Sequence, residues 1–461
     1  MHLNTLLLLS GNGMKALQLL ASLSLLIGLH EFGHFFFARL FKTRVEKFYL
    51  FFDFLFPFSG VLNFALWKKK KGDTEYGLGW FPLGGYVKIA GMVDESMDKE
   101  QMALPPQPWE YRSKKPYQRL FIMLGGIIVN VLVAIFIYIA VFGIYGEEYL
   151  RTENAKYGIA VDSLGRSIGL KDGDMIRSID GKPVERFERI PIAMIYSKDQ
   201  TGTIELTRDG KDMALNIPRG TVGKLIKMQK GGFILPALPA VVDSVFPNSA
   251  ASKANFKSGD SIMAVNGQPV RFRNEMDEMK VANFNVPMTI VVARNNTTDT
   301  LTATVPKDSL LGVAYFPVTR YLKYDTVRYS PISAIGKGFT FTFEQFGNYL
   351  SQFKLMFGSK EIKAHESVGG IISFGKIFPS EFDMRQFLML TAFISIILAF
   401  MNLLPIPGLD GGYVIFLLWE MITGKQVSEK VMERATTVGL VLLLAVMVYA
   451  NGLDIFKLFK H

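Results

Sequence analysis

Four stretches of the sequence carry almost no charged residues over the length that a membrane-spanning helix requires. A helix needs about 20 predominantly apolar residues to cross roughly 30 Å of hydrocarbon. The four stretches are 16–38, 120–146, 387–404 and 435–453. One such run is compatible with a buried core helix, but four in one chain favour membrane spans. The pattern therefore predicts a polytopic α-helical membrane protein with four transmembrane helices.

The segment 147–310 lacks long apolar runs and shows the alternation of apolar and polar residues that is typical of β-strands. Within it, residues 170–184 match residues 256–270 at seven of fifteen positions, with an offset of 86 residues. Each copy places Gly-Asp before a short apolar run and Asp-Gly or Asn-Gly after it. These last dipeptides suit tight hairpins because they tolerate positive φ. The sequence therefore predicts two similar β-rich domains between the second and third spans.

Between the second copy and the third span, apolar residues recur every three or four positions, which predicts an amphipathic helix. The recurring residues are Phe339, Phe343, Phe346, Leu350, Phe353 and Phe357. Two placements remain open for this helix. It either rests on the membrane surface or packs on the second β-rich copy.

Composition and charge support the membrane assignment and exclude several kinds of reactive and metal-binding site. The 461 residues are 49% hydrophobic and 20% charged, whereas soluble domains carry about 25% charged residues. The lack of cysteine excludes disulfides, thiolate nucleophiles and cysteine-ligated metals. Lysine and arginine are concentrated between the first two spans, so this segment is expected in the cytoplasm and both termini on the opposite side. The four lysines at 68–71 fit this topology signal, with some attraction for anionic lipid, better than a nucleic-acid site.

The first predicted span contains three ionisable residues, His30, Glu31 and His34. Positions i and i+4 lie on one face of a helix, so the two imidazoles are able to bind one metal ion with Glu31 beside it. Zinc suits such a site, because catalytic zinc uses three protein ligands and leaves one position to water, whose proton Glu31 would accept. Ionisable groups within a span are costly and usually functional. The alternative is a hydrogen-bonded polar cluster between helices.

A third ligand is expected near the end of the third span. Pro405 and Pro407 break the helix there, and Asp410 is the only acidic residue between Asp383 and Glu420. The predicted topology places Asp410 and the histidines near the cytoplasmic ends of their spans, where they can meet. The alternative for Asp410 is a solvent-exposed turn.

Two sequence strings together resemble a known family. They are H-E-x-x-H in the first span and N-x-x-P-x-P-x-L-D-G at 402–411. In combination they are similar to the site-2 protease family of intramembrane zinc metalloproteases, most closely to its bacterial regulator-of-sigma-E branch, which has four spans and tandem PDZ domains. The repeated G-D-x-I string is itself similar to the signature of PDZ domains.

The resemblance implies a role for five residues of this sequence. His30, His34 and Asp410 would bind one zinc ion. Glu31 would be the general base, and Asn402 would help to hold the substrate backbone near the scissile bond.

The resemblance also covers the segment after the first span. Residues 77–92 are similar to a membrane-associated sheet of the family. The sheet around 75–89 would present an edge to an unwound substrate, because a helical substrate hides its carbonyls until its hydrogen bonds break. The apolar stretch 53–67 is expected to be re-entrant or interfacial.

Two strings depart from the pattern of the family. A Gly-Phe-Gly string of the family reads Phe51, Phe52 and Asp53 here. In the second span, the usual Gly-Pro-x-x-Asn keeps Gly126 and Asn130 but lacks the proline. Neither string is expected to touch the predicted ligands, although both bear on how the substrate strand is positioned.

The resemblance orders the chain as a four-helix membrane protein with two inserted PDZ-like β-rich domains and a membrane-associated β-sheet. The predicted segments are 1–41 (first transmembrane helix), 42–118 (cytoplasmic-side sheet and loop), 119–146 (second transmembrane helix), 150–225 (first PDZ domain), 232–310 (second PDZ domain), 325–385 (amphipathic helical linker), 386–404 (third transmembrane helix), 405–434 (loop with the Leu-Asp-Gly string) and 435–454 (fourth transmembrane helix).

The implied function is that of an inner-membrane zinc endopeptidase which performs the second cleavage of regulated intramembrane proteolysis. Its substrates would be single-pass membrane proteins that another protease has already trimmed, such as an anti-sigma factor. The PDZ pair would lie outside the cytoplasm and exclude bulky ectodomains or bind peptide ends. Three alternatives remain: clearance of remnant signal peptides, a non-catalytic PDZ scaffold, and a transporter. The two membrane halves show no internal similarity, which disfavours a transporter, and no nucleic-acid partner is expected.

Overall fold

The computed structural model of the chain describes residues 11–55, 61–82, 84–92, 105–198, 201–227, 232–307, 310–358 and 369–459. Residues 1–10 of the predicted first segment and 56–60 of the predicted interfacial stretch lie outside these ranges. The chain divides into two compact units. The first contains the described residues of Met1–Gly146, Arg328–Ser359 and Val368–His461, and the second contains those of Glu147–Val327.

The helices are α1 (Gly11–Leu40), α2 (Pro116–Tyr145), α3 (Ser163–Ser167), α4 (Ile190–Ile195), α5 (Thr221–Lys227), α6 (Ala250–Lys253), α7 (Arg273–Ala282), α8 (Pro331–Gly358), α9 (Ile371–Gly375), α10 (Met384–Leu403), α11 (Asp410–Thr423) and α12 (Glu429–Phe459). The strands of the first unit are β1 (Val45–Leu50), β2 (Ala65–Lys71), β3 (Thr74–Gly79) and β4 (Tyr86–Ile89). The strands of the second unit are β5 (Glu147–Leu150), β6 (Ile159–Val161), β7 (Met175–Ile179), β8 (Lys182–Pro183), β9 (Thr203–Arg208), β10 (Lys211–Asn216), β11 (Ile234–Pro236), β12 (Val242–Val245), β13 (Ser261–Val265), β14 (Gln268–Pro269), β15 (Pro287–Arg294), β16 (Thr297–Thr304), β17 (Val313–Tyr315) and β18 (Tyr324–Val327).

Among the described residues, four helices are long and apolar enough to cross a membrane. They are α1, α2, α10 and the Lys430–Phe456 part of α12. Large apolar side chains such as Phe136, Ile144 and Val438 are exposed on these helices, as expected for side chains that face lipid. The prediction of four helices of spanning length is confirmed.

The first two spans, α1 and α2, cross at three glycines. A methyl carbon added at Gly33 would lie 2.8 Å from the backbone nitrogen of Gly126, and one added at Gly125 would lie 2.5 Å from the carbonyl oxygen of Gly33. These distances leave no room for a side chain, so the two backbones approach closely, as small residues permit between membrane helices. The crossing brings the histidine-bearing face of α1 directly against α2.

A four-stranded sheet with the order β2-β3-β1-β4 follows α1 in the chain. Strand β1 runs back along α1, since a methyl carbon added at Gly28 would lie 3.1 Å from Cδ1 of Leu50. The parallel strands β1 and β3 lie inside the sheet, and β4 and β2 form its edges. The predicted sheet around 75–89 is present, but it extends over 45–89, and the four lysines belong to the exposed edge strand β2.

The two copies of the sequence repeat fold alike. Their sheets have the strand orders β10-β9-β7-β8 and β16-β15-β13-β14, which correspond strand by strand. Asp180 and Gly181 in the first copy, and Asn266 and Gly267 in the second, form the predicted hairpin turns with positive φ. The prediction of two similar β-rich domains is thus confirmed at the level of their strand order.

Each copy also contains an ion pair between a buried aspartate and a partly buried arginine at the same place. Asp174 accepts hydrogen bonds from Nε and Nη2 of Arg208, both at 2.7 Å. Asp260 accepts the equivalent bonds from Arg294 at 2.6 and 2.8 Å. The two pairs are separated by the repeat offset of 86 residues. Sequence comparison missed them because the arginines lie outside the matched strings.

Each copy is completed by a strand that lies beyond its predicted boundary. Strand β11 pairs with β6 of the first copy, and β17 pairs with β12 of the second. The predicted ends at 225 and 310 therefore fall short of the closing strands. The predicted start of the second domain at 232 would assign β11 to the wrong copy. Pairing between distant strands depends on tertiary contacts that no local pattern encodes.

The amphipathic helix predicted before the third span is α8, and it packs on two of the spans. The ring of Phe341 meets that of Tyr138 on α2 at a centroid distance of 4.9 Å. Phe346 and Phe353 meet Phe400 on α10 at 5.7 and 5.2 Å. The helical bundle is thus a partner that neither of the two predicted placements included.

Candidate metal centre and active site

The three predicted metal ligands meet between α1 and the start of α11. Nε2 of His30 and Nε2 of His34 lie 3.2 Å apart. Oδ2 of Asp410 lies 3.3 Å from the first of these nitrogens and 3.4 Å from the second. No other cluster of three such side chains in the described ranges is arranged to hold a metal ion. The structure thus brings together two strings that are far apart in the sequence.

This arrangement fits a zinc ion. In a tetrahedral site with metal–ligand bonds of about 2.0–2.1 Å, neighbouring ligand atoms lie roughly 3.3 Å apart. Oδ2 of Asp410 is buried and has no hydrogen-bond partner among the described atoms. When both imidazoles are neutral and carry their proton on Nδ1, three electron-rich atoms face one another at this distance, and a cation between them removes the repulsion.

Asp410 is held by the turn between α10 and α11. It is the first residue of α11, so the predicted loop 405–434 is wrong for 410–423, which form a helix. A methyl carbon added at Gly411 would lie 2.5 Å from the carbonyl oxygen of Leu403, so glycine allows the new helix to pack on the turn. A carboxylate in the first turn of a helix is favoured by the helix dipole.

The second span touches both histidines, which corrects the expectation that its Gly-x-x-x-Asn string lies away from the ligands. Nδ1 of His34 lies 2.8 Å from the carbonyl oxygen of Ile122. The side-chain amide of Asn130 lies 3.3 Å from Nδ1 of His30. A methyl carbon added at Gly126 would lie 2.5 Å from Nδ1 of His30 and 2.6 Å from Nε2 of His34. The spacing i, i+4 indicates that Gly126 and Asn130 share one helix face, but it does not indicate that this face meets the histidines.

Glu31 lies beside the start of the edge strand β4. A methyl carbon added at Gly85 would lie 3.5 Å from Cγ of Glu31 and 2.8 Å from the carbonyl oxygen of Tyr49. Glycine therefore keeps the strand backbone close to the carboxylate. Asn402 is half-buried in the last turn of α10. Its side chain makes no hydrogen bond to a described residue, and its role in substrate binding stays a prediction.

Asp53, which belongs to the string that departs from the Gly-Phe-Gly pattern of the family, supports the edge strand. Oη of Tyr86, the first residue of β4, donates a hydrogen bond of 3.0 Å to Oδ1 of Asp53. The ring of Tyr86 also stacks on that of Tyr49 at a centroid distance of 5.2 Å. Burial, together with the carboxylate of Asp53, raises the pKa of Tyr86 well above its ordinary value, so the hydroxyl remains a donor at physiological pH.

A buried ion pair connects the helix that begins at Asp410 to the second span. Arg119, in the first turn of α2, donates to Glu420 of α11, and both side chains are about nine-tenths buried. Nε2 of Gln426 donates a further hydrogen bond of 3.2 Å to the same carboxylate. Because α2 also contacts both histidines, it links the histidines of α1 to the helix α11 that begins at Asp410. Sequence analysis did not single out this pair.

Comparison with known proteins is consistent with this geometry. The model of Peptidase family M50 matches residues 18–446. The regulator of sigma-E protease RseP of Salmonella typhimurium is 30% identical over 95% of this chain and 97% of its own length. RseP of Escherichia coli is 29% identical over 96% and 97% of the two chains. A Neisseria meningitidis protein named as a zinc metalloprotease is 27% identical over 96% and 99%.

Proposed function

Because the chain belongs to peptidase family M50, the site-2 protease family, we propose that His30, His34 and Asp410 hold its zinc ion and that Glu31 is its general base. The family and the names of the relatives make the protein an intramembrane zinc metalloprotease of regulated intramembrane proteolysis. The observation that supports the assignment of the residues is the convergence of three potential ligand atoms at 3.2–3.4 Å next to a glutamate, from a buried His34 and a partly buried His30 and Asp410. A non-catalytic PDZ scaffold would not need this arrangement.

The chemistry is the addition of water to a peptide carbonyl. Zinc, when bound, polarises that carbonyl and lowers the pKa of a water molecule. Glu31 accepts the proton of the attacking water and returns it to the amide nitrogen as the C–N bond breaks, so one water is consumed and one new carboxyl and one new amine are formed. His34 and Asp410 are buried or nearly so, which strengthens the electrostatic interactions that drive the reaction.

The edge strand β4 is the element that we infer receives the substrate. A transmembrane substrate is helical, and its carbonyls are unavailable until the helix unwinds locally. An extended segment gains main-chain hydrogen bonds by adding to an open strand edge. Gly85 places the start of β4 beside Glu31, so a strand added there passes the proposed general base. Asn402 would bind the backbone of the substrate on the side of α10.

We propose that the protein's substrates are single-pass membrane proteins whose ectodomains have already been removed, such as an anti-sigma factor. Positive residues in the cytoplasmic segment support placing both termini and the two β-rich copies on the extracytoplasmic face of the inner membrane. We infer that these copies are PDZ domains that exclude long ectodomains or bind peptide ends. Remnant signal peptides are the alternative substrates, since they also present a short apolar helix.

A membrane-anchored stub with tags at both ends tests the assignment. The wild-type protein is expected to cut the stub within its span, and Glu31→Gln is expected to leave it intact while it retains zinc. Asp410→Ala is expected to lose both zinc and cleavage. Equal cleavage by the wild type and Glu31→Gln would contradict the assigned base. Two further substrates are tested in parallel. A signal-peptide remnant distinguishes the two substrate classes, and a stub that keeps a long ectodomain tests whether long ectodomains are excluded.

A further inference from the structure

Asn130 is a fully buried polar residue of α2 beside one of the proposed zinc ligands. Its side-chain nitrogen lies 3.3 Å from Nδ1 of His30, and its side-chain oxygen is buried without a hydrogen-bond partner among the described atoms. Its backbone carbonyl accepts a hydrogen bond of 2.8 Å from Oγ of Ser395 on α10. A buried amide oxygen without a partner costs free energy, because it has lost its hydrogen bonds to water and gained none in exchange.

The two ends of an asparagine amide have the same shape, so hydrogen bonding decides which end is oxygen. A histidine that offers Nε2 to a metal carries its proton on Nδ1, and that N–H needs an acceptor. The amide nitrogen of Asn130 cannot accept it. Rotation of the amide by about 180° about its Cβ–Cγ bond brings Oδ1 to Nδ1 of His30. One change thus satisfies the orphaned oxygen and gives the imidazole N–H an acceptor.

The other histidine already shows the equivalent arrangement. Nδ1 of His34 lies 2.8 Å from the carbonyl oxygen of Ile122, an atom that can only accept. Ile122, Gly126 and Asn130 follow one another at intervals of four, so they lie on one face of α2. This face therefore provides an acceptor for each imidazole, with a glycine between them where the rings pack.

We propose that Asn130 is a positioning residue that accepts a hydrogen bond from Nδ1–H of His30 and thereby fixes the tautomer in which Nε2 faces Asp410. This inference rests on the proposed zinc site. The opposite arrangement, in which the amide donates to Nδ1, would place the proton on Nε2 and block metal binding. The two arrangements predict opposite effects on zinc affinity when the side-chain amide of Asn130 is replaced.

The test measures the zinc affinity of the full-length, detergent-purified protein by competition with a chelator. Asn130→Leu removes the acceptor at similar volume, and an affinity loss of about 10- to 100-fold is expected, as for other residues that orient metal-ligating histidines. Asn130→Asp has the same shape and can only accept, so it is expected to bind zinc at least as tightly as the wild type. The absorption spectrum of the Co²⁺-substituted protein should change in Asn130→Leu and stay unchanged in Asn130→Asp.

Ser395→Ala is the matched control, because the hydroxyl of Ser395 donates its hydrogen bond to the backbone carbonyl of Asn130 and not to the side-chain amide. It is expected to bind zinc like the wild type. Equal affinity in all variants, or tighter binding by Asn130→Leu, would overturn the proposal, and so would zinc loss in Asn130→Asp, which does not depend on whether the leucine variant folds. Failure of the wild type to bind zinc, or wild-type affinity in Asp410→Ala, would overturn the proposed zinc site itself.

Discussion

Substitution of Gly126 by alanine is expected to disable the metal site without changing any proposed ligand. The added methyl carbon would lie 2.5 Å from Nδ1 of His30 and 2.6 Å from Nε2 of His34, whereas ordinary contact begins at 3.4 Å. The two rings would therefore have to retreat by about 0.9 Å. Metal–ligand distances tolerate only about 0.2 Å, so we expect zinc affinity to fall at least about 10-fold, in the range seen when ligand orientation is disturbed. Cleavage of the membrane stub should fall about 100-fold, because a displacement of about 1 Å in a catalytic group has that effect.

Gly143→Ala provides the control on the same helix. Its methyl carbon would lie 3.6 Å from Cβ of Ala334, an ordinary contact. Both substitutions gain about 1 kcal/mol of helix propensity, so propensity cannot explain a difference between them. Chelator competition and stub cleavage are measured on both variants. Wild-type zinc affinity and cleavage in Gly126→Ala would refute the argument that the crossing of α1 and α2 positions the histidines.

Three further outcomes follow from the contacts of the described residues. Glu420→Ala leaves the charge of Arg119 buried without its partner, which typically costs about 3–5 kcal/mol of stability. The melting temperature and the zinc affinity should therefore both fall. Replacement of both Arg119 and Glu420 by leucine should restore the melting temperature. Asp260→Asn breaks the ion pair between the buried Asp260 and Arg294 in the second β-rich copy, so hydrogen exchange of the full chain should speed up in that copy and stay unchanged in the first. Tyr86→Phe removes the hydrogen bond to Asp53 at the start of β4; cleavage of the stub should fall several-fold at unchanged zinc content, and an equal fall in zinc content would contradict a role restricted to the edge strand.

The second span emerges as the element that organises the candidate site. It contacts α1 through glycines, contacts both histidines through Ile122 and Asn130, and holds α11 through Arg119. None of its residues is a proposed ligand. The Gly-x-x-x-Asn string contains the glycine and the asparagine of these contacts, whereas Ile122 and Arg119 lie outside it. A substitution in α2 can therefore affect zinc binding without altering the ligand set.

Several features of this protein follow from the sequence alone because their causes are local. The thickness of hydrocarbon that a helix must cross determines the length of the four spans. Helical periodicity places His30 and His34 on one face, with Glu31 beside them. The dipeptides Asp-Gly and Asn-Gly marked the hairpin turns of both copies, because these residues tolerate positive φ. Asp410 could be selected since it was the only acidic residue near the end of the third span.

Other features depend on which surfaces meet, and only the tertiary structure decided them. Strands β11 and β17 complete the two β-rich copies, although both lie beyond the ends predicted for these copies. Helix α8 packs on two of the spans. The sequence shows the Gly-x-x-x-Asn string of α2, but nothing local tells which face of α2 meets α1, so only the tertiary structure places this string at the ligands. The ion pair of Arg119 and Glu420 joins residues that are 301 positions apart. The residue pattern within one helix or strand indicates which of its faces will be buried. Which other element covers that face depends on the packing of all elements together, so it is not encoded locally.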